Sequence, residues 1–416
     1  MLVGKTFTKN DYTPKSQQKQ SLFVRKDKLT LLEGLVELYH STLDKNDFQE
    51  VHLPPEMVEV AQYMYERHGF AKELVIGDRT LVRQNFKENP DAIIHLVTAG
   101  KDSTAMAKKE EGTIKHNLLV HVVGVNKVYP VEHRKCKQLY KKHFPQSEYH
   151  EIKVMLPQVK NQSESPLKNA LITVLTIEYF GFVPKMISIG GSAGVSDISE
   201  TEVFGDSSKG WNPMFNMIKE AYQTKEFTTT PWLRDQIEPY EVIVNNDIKF
   251  SDLASCMSQA RFKKLQRTNT LEKFARIIKG KYYLAGTIKD TNQSIFDVTQ
   301  DTLDKLDHTD IIKSDIIDFE DDYRCTKCFK CNELALICYH HLGFNFHPDY
   351  IKSAERLLIE WMDKSSNNNG VNLWKYYNDF LCIPTSKIPD RYHKYLSGEA
   401  VRPDGWVPPK PKKKKE

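Results

Sequence analysis

The chain lacks any apolar run approaching the ~18–20 residues needed to cross a bilayer, and its lysine-bearing N-terminus leads into no apolar segment of the kind a secretion signal carries. These absences exclude a membrane span and lead us to expect a cytoplasmic protein. Cysteine is sparse, with seven in 416 residues, and three of these crowd into the stretch from Cys325 to Cys331. That distribution argues against a disulfide framework and for a reducing compartment with a metal site. Net charge is small too, at +4, and unevenly spread. Residues 1–28 carry seven basic side chains against two acidic ones, and residues 410–416 carry five lysines against Glu416, which leaves the body at −5. An acidic body with basic ends disfavours nucleic acid as a partner, and the lysine run after Pro408, Pro409 and Pro411 reads as a solvated, disordered tail. No internal repeat is present. Apolar residues at 40% and aromatics at 11% suffice for a core, and the length suits one large domain with additions or two to three domains.

The positive signal is an alternation of strand and helix patterns from Ile93 onward, which predicts an α/β fold with a parallel sheet. Apolar runs at 93–97, 118–125, 149–155 and 185–189 read as strands. Helical periodicity covers 103 onward, 131–144, 166–180 and 213–222, with Pro166 and Gly181 bounding the third. Upstream, 28–43 and 55–68 read as helices of an N-terminal extension docked on the sheet domain. Downstream, a basic helix is expected at 271–279, a helix at 332–341, and another at 348–362 before a polar loop at 365–370. The aromatic cluster Trp374, Tyr376, Tyr377 and Phe380 reads as core, and His133 as part of an exposed, partly basic helix face.

The most informative segment is Ile93-Ile94-His95-Leu96-Val97-Thr98-Ala99-Gly100-Lys101-Asp102-Ser103-Thr104. An apolar strand enters a small-residue turn and then a helix expected to begin near Ser103, whose N-terminal amides and positive dipole end favour an anion. A Walker A loop is excluded, because Asp102 separates Lys101 from the hydroxyl and His95 stands at the first glycine position. Alanine at 99 is disfavoured if that position needs a positive φ.

The segment resembles the PP-loop of the N-type ATP pyrophosphatases, S-G-G-x-D-S. Thr98 and Ala99 replace the first serine and glycine, while Gly100, Asp102 and Ser103 match. Together with Cys325, Cys328 and Cys331 at C-x-x-C-x-x-C spacing, the chain is similar to 7-cyano-7-deazaguanine synthase and its relatives over about 91–225 and 310–345. The stretch 125–133 loosely matches the family's segment after the second strand. Lys168-Asn169 matches its Arg-Asn pair, and the acidic loop from Gly190 to Asp206 matches its loop after the fourth strand. One further family cysteine is missing, since residues 312–324 contain none.

The resemblance implies binding of ATP and Mg2+, adenylation of a carboxylated deazapurine, release of pyrophosphate, and displacement of AMP by ammonia or an amine to give an amide or nitrile. It implies that Thr98, Ala99, Gly100, Lys101, Asp102, Ser103, Thr104, Val125, Asn126 and Gly190 contact the nucleotide. Lys101, Asp102 and Lys168 would carry the chemistry, and Asn169, Asp197 and Asp206 would meet the substrate base. Zn2+ would sit on Cys325, Cys328 and Cys331, with Cys338, Cys256 or His340 open as the fourth ligand and an iron–sulfur cluster as the lesser alternative. The alternatives for function are a tRNA-modifying PP-loop enzyme, an amide ligase joining an activated base to a protein, and a degenerate nucleotide-binding module. A homodimer stays open, and no membrane partner is expected. The expected organisation is a mostly helical extension at 1–88, the PP-loop domain at 89–245, and a helical, zinc-bearing region at 246–345. A helical C-terminal extension at 346–409 and the basic tail follow.

Overall fold

The computed structural model describes residues 6–7, 27–43, 50–62, 73–76, 79–123, 130–154, 165–188, 216–224, 227–229, 233–254, 272–317, 326–369, 378, 380–397 and 399. Its centre is a parallel sheet. Four long strands, β6 (Lys87–Leu96), β7 (His116–Val123), β8 (Glu148–Val154) and β9 (Phe182–Ser188), are flanked by two-residue strands β1 (Thr6–Phe7) and β10 (Thr228–Thr229). The strand order is β1-β8-β7-β6-β9-β10, with every neighbouring pair parallel. The order therefore reverses between β6 and β9, and ligands of such sheets bind outside the carboxyl ends of the strands at that reversal. The loop at 97–100 leaves β6 at this point.

Strand alternation divides the apolar side chains between two cores. Ile94, Leu118, Val120, Ile152 and Val154 face α1 (Leu31–Leu43), α4 (Ser165–Phe180) and the helical segment 216–222. Val97, Ala99 and Leu119 face the opposite layer, which contains α3 (Pro130–His143), α5 (Glu238–Asn245) and the C-terminal helices. The helix that follows the loop, α2 (Lys101–Glu110), lies on this second side, packed on α5, with Ala105 and Met106 against Leu233. At the end of α4, Gly181 adopts φ +71, and its N–H bonds to the Ile177 carbonyl at 2.9 Å, a left-handed stop that glycine makes without strain.

Several elements depart from the sequence reading. The first helix starts later than 28, because Lys28 and Leu29 form β2 (Lys28–Leu29), which pairs with β5 (Thr80–Leu81). Thr30 and Glu33 then form a reciprocal capping box: the Thr30 N–H donates to the Glu33 carboxylate at 3.0 Å, and the Glu33 N–H to Thr30 Oγ1 at 3.2 Å. The extension is also less helical than expected, since β3 (Glu50–Leu53) and β4 (Glu73–Ile76) make a further parallel pair. Of the second expected helix, a 3-10 turn at Pro55–Met57 and helix at 58–62 are described, and the rest lies outside the described residues.

The expected basic helix at 271–279 is instead a 3-10 turn followed by a hairpin. Strand β11 (Arg276–Ile278) turns through Lys279 and Gly280 into β12 (Lys281–Ile288), and β13 (Ile311–Ile317) completes a three-stranded antiparallel sheet. Lys279 and Gly280 have φ 46 and 76, the two successive left-handed residues of a tight hairpin turn. The region at 246–345 is thus mixed rather than helical. The sheet buries Ile278, Tyr283, Ile295 and Leu303 in a small core of its own. Beyond it, α6 (Phe329–His341) packs on α7 (Pro348–Asn369), and α7 includes 365–369 of the stretch expected as a polar loop, Gly370 lying outside the described residues. Phe380 packs on the main core as anticipated, whereas Trp374, Tyr376 and Tyr377 lie outside the described residues. Among the described residues, no helix is long and apolar enough to cross a membrane.

Candidate functional site

The loop after β6 is held closed by its own hydroxyls. Thr98 N–H donates to Ser103 Oγ at 3.2 Å, and Ser103 Oγ donates to the Thr98 carbonyl at 2.9 Å. Gly100 N–H donates to Thr98 Oγ1 at 3.2 Å. From below, the buried Tyr140 hydroxyl donates to the same Thr98 carbonyl at 2.8 Å. Burial pushes the Tyr140 phenol well above its ordinary pKa, so it stays a neutral donor. A Cβ on Gly100 would meet Thr98 Oγ1 at 3.1 Å, so a larger residue here would require the Thr98 side chain to shift. Its φ is −78, and Ala99 is not among the positive-φ residues. Ala99 therefore meets no backbone penalty in this conformation.

Helix α2 begins at Lys101, two residues earlier than expected, with Gly100 as its cap. The first intrahelical bond is Thr104 N–H to the Gly100 carbonyl at 3.1 Å. The amides of Lys101, Asp102 and Ser103 precede that ladder, and the dipole end lies at their position. Thr98 is exposed, while Gly100, Lys101 and Asp102 are half-buried. Ser103 is buried, and Thr104, with no exposure, lies in the packing beneath the loop rather than at its mouth. The Lys101 ammonium does not project into solvent. It donates to Asp102 Oδ1 at 2.8 Å and to Gln236 Oε1 at 2.7 Å, and it lies 5.3 Å from the centre of the Tyr240 ring.

Two distant segments complete the surroundings. Ala254 N–H donates to the Ala99 carbonyl at 2.7 Å, and the buried Lys135 of α3 fixes that segment by donating to the Ser251 and Leu253 carbonyls. Tyr240 of α5 is wholly buried, which raises its pKa, and the charges acting on its hydroxyl include Glu333, Cys338, Asp102 and Cys331. Tyr240 also shares a core with Leu334, Ile337 and Cys338 of the cysteine-bearing helix. Sequence reasoning missed Gln236, Tyr240, Tyr140 and Ala254, since no local pattern ties them to residues 98–101.

Lys168 and Asn169 occupy the first turn of α4, which follows β8, so the topology brings them to the carboxyl edge of the sheet; Asn169 is half-buried. His133 is half-buried rather than exposed. Its ring stacks on His121 with centroids 5.6 Å apart, and His121 Nδ1 bonds to the Val97 carbonyl at 2.9 Å. Val125, Asn126, Gly190, Asp197, Asp206, Cys256 and Cys325 lie outside the described residues.

Of the cysteine triplet, Cys328 caps α6 and Cys331 sits in its first turn, with sulfurs 3.4 Å apart. That separation is close to the ~4 Å expected for two thiolates on one ion with metal–sulfur bonds of about 2.3 Å. Thr326, between Cys325 and Cys328, has φ 51, a left-handed conformation that is strained for a β-branched residue. Cys338 is buried in the core on the same helix, and at 1.5 Å per residue it lies roughly 10 Å along the axis from Cys331. His340 lies farther still and is exposed. Both are thereby removed as fourth ligands alongside Cys331. Among the described residues, no three His, Cys, Asp or Glu side chains are grouped to hold a metal. No protein-family model matches the chain, and no characterised protein matches it in sequence.

Proposed function

We propose that this protein is an ATP-dependent adenylating enzyme of the PP-loop type, with a carboxylated deazapurine as substrate and the corresponding amide or nitrile as product. The observation that carries this reading is the placement of the Thr98–Ser103 turn and the α2 N-terminus at the strand-order reversal of a parallel sheet. Polyphosphates bind at such reversals in folds of this kind, and the Thr98 and Ser103 hydroxyls and the first amides of α2 lie there. The Thr98 and Ser103 hydroxyls and the amides at 99–103 would hold pyrophosphate oxygens in exchange for the bonds they now make to one another. Lys101 would add a point charge, and Lys168 would approach from α4. Asp102, a half-buried carboxylate at the loop, suits Mg2+, a hard cation that prefers oxygen ligands.

The paired sulfurs of Cys328 and Cys331 and the strained Thr326 suit a tetrahedral metal with thiolate ligands, and Cys325 would supply a third sulfur. Zinc there would contribute folding free energy and fix the start of α6. Asn169, Asp197 and Asp206 would meet the base.

Pyrophosphate release on adding ATP and 7-carboxy-7-deazaguanine tests the reading. We expect release that depends on both compounds and is lost in Asp102→Ala. Equal, slow release by the wild type and Asp102→Ala would overturn it.

A further inference from the structure

The lysine of the loop is engaged by the protein's own groups, and one of these comes from far along the chain. Lys101 Nζ is held by Asp102 and by Gln236, 135 residues away. Its side chain is only 11% exposed. This is a costly position for an ammonium, because it sits at the positive end of α2 and out of water. Gln236 itself is buried, and the segment carrying it is firmly seated. Leu233 packs against Ala105 and Met106 of α2. The Asp235 carboxylate accepts the Ile237 and Glu238 amides, each at 2.8 Å, and Glu238 pairs with Lys109 of α2 at 2.8 Å. The amide oxygen of Gln236 is thus presented to Lys101 from a turn tied down by these contacts.

We propose that Gln236 is a positioning residue that keeps Lys101 folded over Asp102, so that the loop offers a neutralised carboxylate until a divalent cation arriving with a polyphosphate replaces the ammonium. The inference rests on the adenylating reading and adds a gate to it. A bare Asp102 would repel an incoming polyanion, and Lys101 removes that repulsion. Once a divalent cation takes over the carboxylate, Lys101 is released toward the phosphates, where a second positive charge is useful. The loop then binds metal-bound polyphosphate in preference to the metal-free anion, with Gln236 setting how much metal is required.

Trace acylation of the full-length protein with acetic anhydride, read at Lys101 by peptide mass spectrometry, measures the hold without any nucleotide. Calorimetric titration with inorganic pyrophosphate and with ATP across a series of Mg2+ concentrations measures the exchange. Gln236→Leu keeps the volume and removes the acceptor, and Gln236→Glu strengthens it. A hydrogen bond to a charged group corresponds to roughly a tenfold effect or more. We therefore expect Lys101 in Gln236→Leu to acylate about tenfold faster than in the wild type, with the other lysines unchanged and the melting temperature lowered by only a few degrees. The Mg2+ concentration for half-maximal pyrophosphate binding should fall by a similar factor in Gln236→Leu and rise in Gln236→Glu. Unchanged acylation of Lys101 with normal ATP binding overturns the hold and leaves the adenylating reading intact. A wild type that binds neither ATP nor pyrophosphate at any Mg2+ concentration overturns the exchange and the functional reading together, even if acylation responds to Gln236.

Discussion

Replacing His95 with glutamine should flatten the acid limb of this protein's stability profile. His95 lies in β6, two residues before the loop begins, and is 1% exposed. Burial lowers its pKa from 6.5 to about 4, with the Asn117 side chain opposing the change. The folded state therefore holds a neutral imidazole, while the unfolded chain protonates it at the ordinary value. Between those two values the unfolded state binds more protons, so stability falls as the pH falls. The contribution is fully present above the unfolded pKa and fully lost below the folded one. Its total is about 3 kcal/mol, because each tenfold weakening of proton binding in the folded state corresponds to about 1.4 kcal/mol. By about pH 5, about 2 kcal/mol of it is already gone. Urea unfolding of the wild type and His95→Gln at about pH 7.5 and about pH 5 reads this directly, since His121 and the other titrating groups are common to both proteins. The wild type should lose about 2 kcal/mol more than the variant between the two conditions. Equal losses would mean that His95 is solvated or already charged in the fold, and the account of this strand's buried face would be wrong.

Three further perturbations separate local from site effects. Thr30→Ala removes half of the capping box at α1 and should cost about 1 kcal/mol in chemical unfolding, without changing ATP binding. Tyr140→Phe deletes one of the two hydroxyl donors to the Thr98 carbonyl. It should cost about 1 kcal/mol and weaken pyrophosphate binding several-fold in calorimetry, and full retention of affinity would show that the loop is held by Ser103 alone. Gly280→Ala places a side chain at φ +76 and should lower stability by roughly 1 kcal/mol. Hydrogen exchange should show the loosening confined to β11 and β12.

The parallel sheet was legible because β7, β9 and the second half of β6 carry apolar runs, β8 alternates polar and apolar residues toward its end, and the helix before β9 has its own boundary at Gly181. The β6 to α2 junction was legible for the same reason, since small residues, a strand and a helix follow one another without a gap. The hairpin at 276–288 was not, because β11 is only three residues long and begins with Arg276, and a Lys-Gly turn imitates a basic helix closing on glycine. The edge strand Thr6–Phe7 has too few residues to show a period, and it is specified by its partner β8 rather than by its own sequence. Thr30 and Glu33 did carry a readable signal, the T-x-x-E spacing, which fixes the start of α1. At the site, the residues of the loop were visible and its supports were not. Gln236, Tyr240 and Ala254 become neighbours of residues 99–101 only through the long route the chain takes around the sheet.

That route has a consequence during synthesis on the ribosome. The loop emerges early, with β6, but Gln236 leaves the ribosome only after 135 further residues beyond Lys101, and Ala254 and Lys135's carbonyl partners follow later still. At ~5–20 residues per second, an incomplete chain spends on the order of ten seconds with Lys101 and Asp102 displayed and the Ala99 carbonyl uncovered. A nascent chain paused in that window would expose the loop without Gln236 and Ala254 against it, and chaperone contact would fall there rather than on the finished protein.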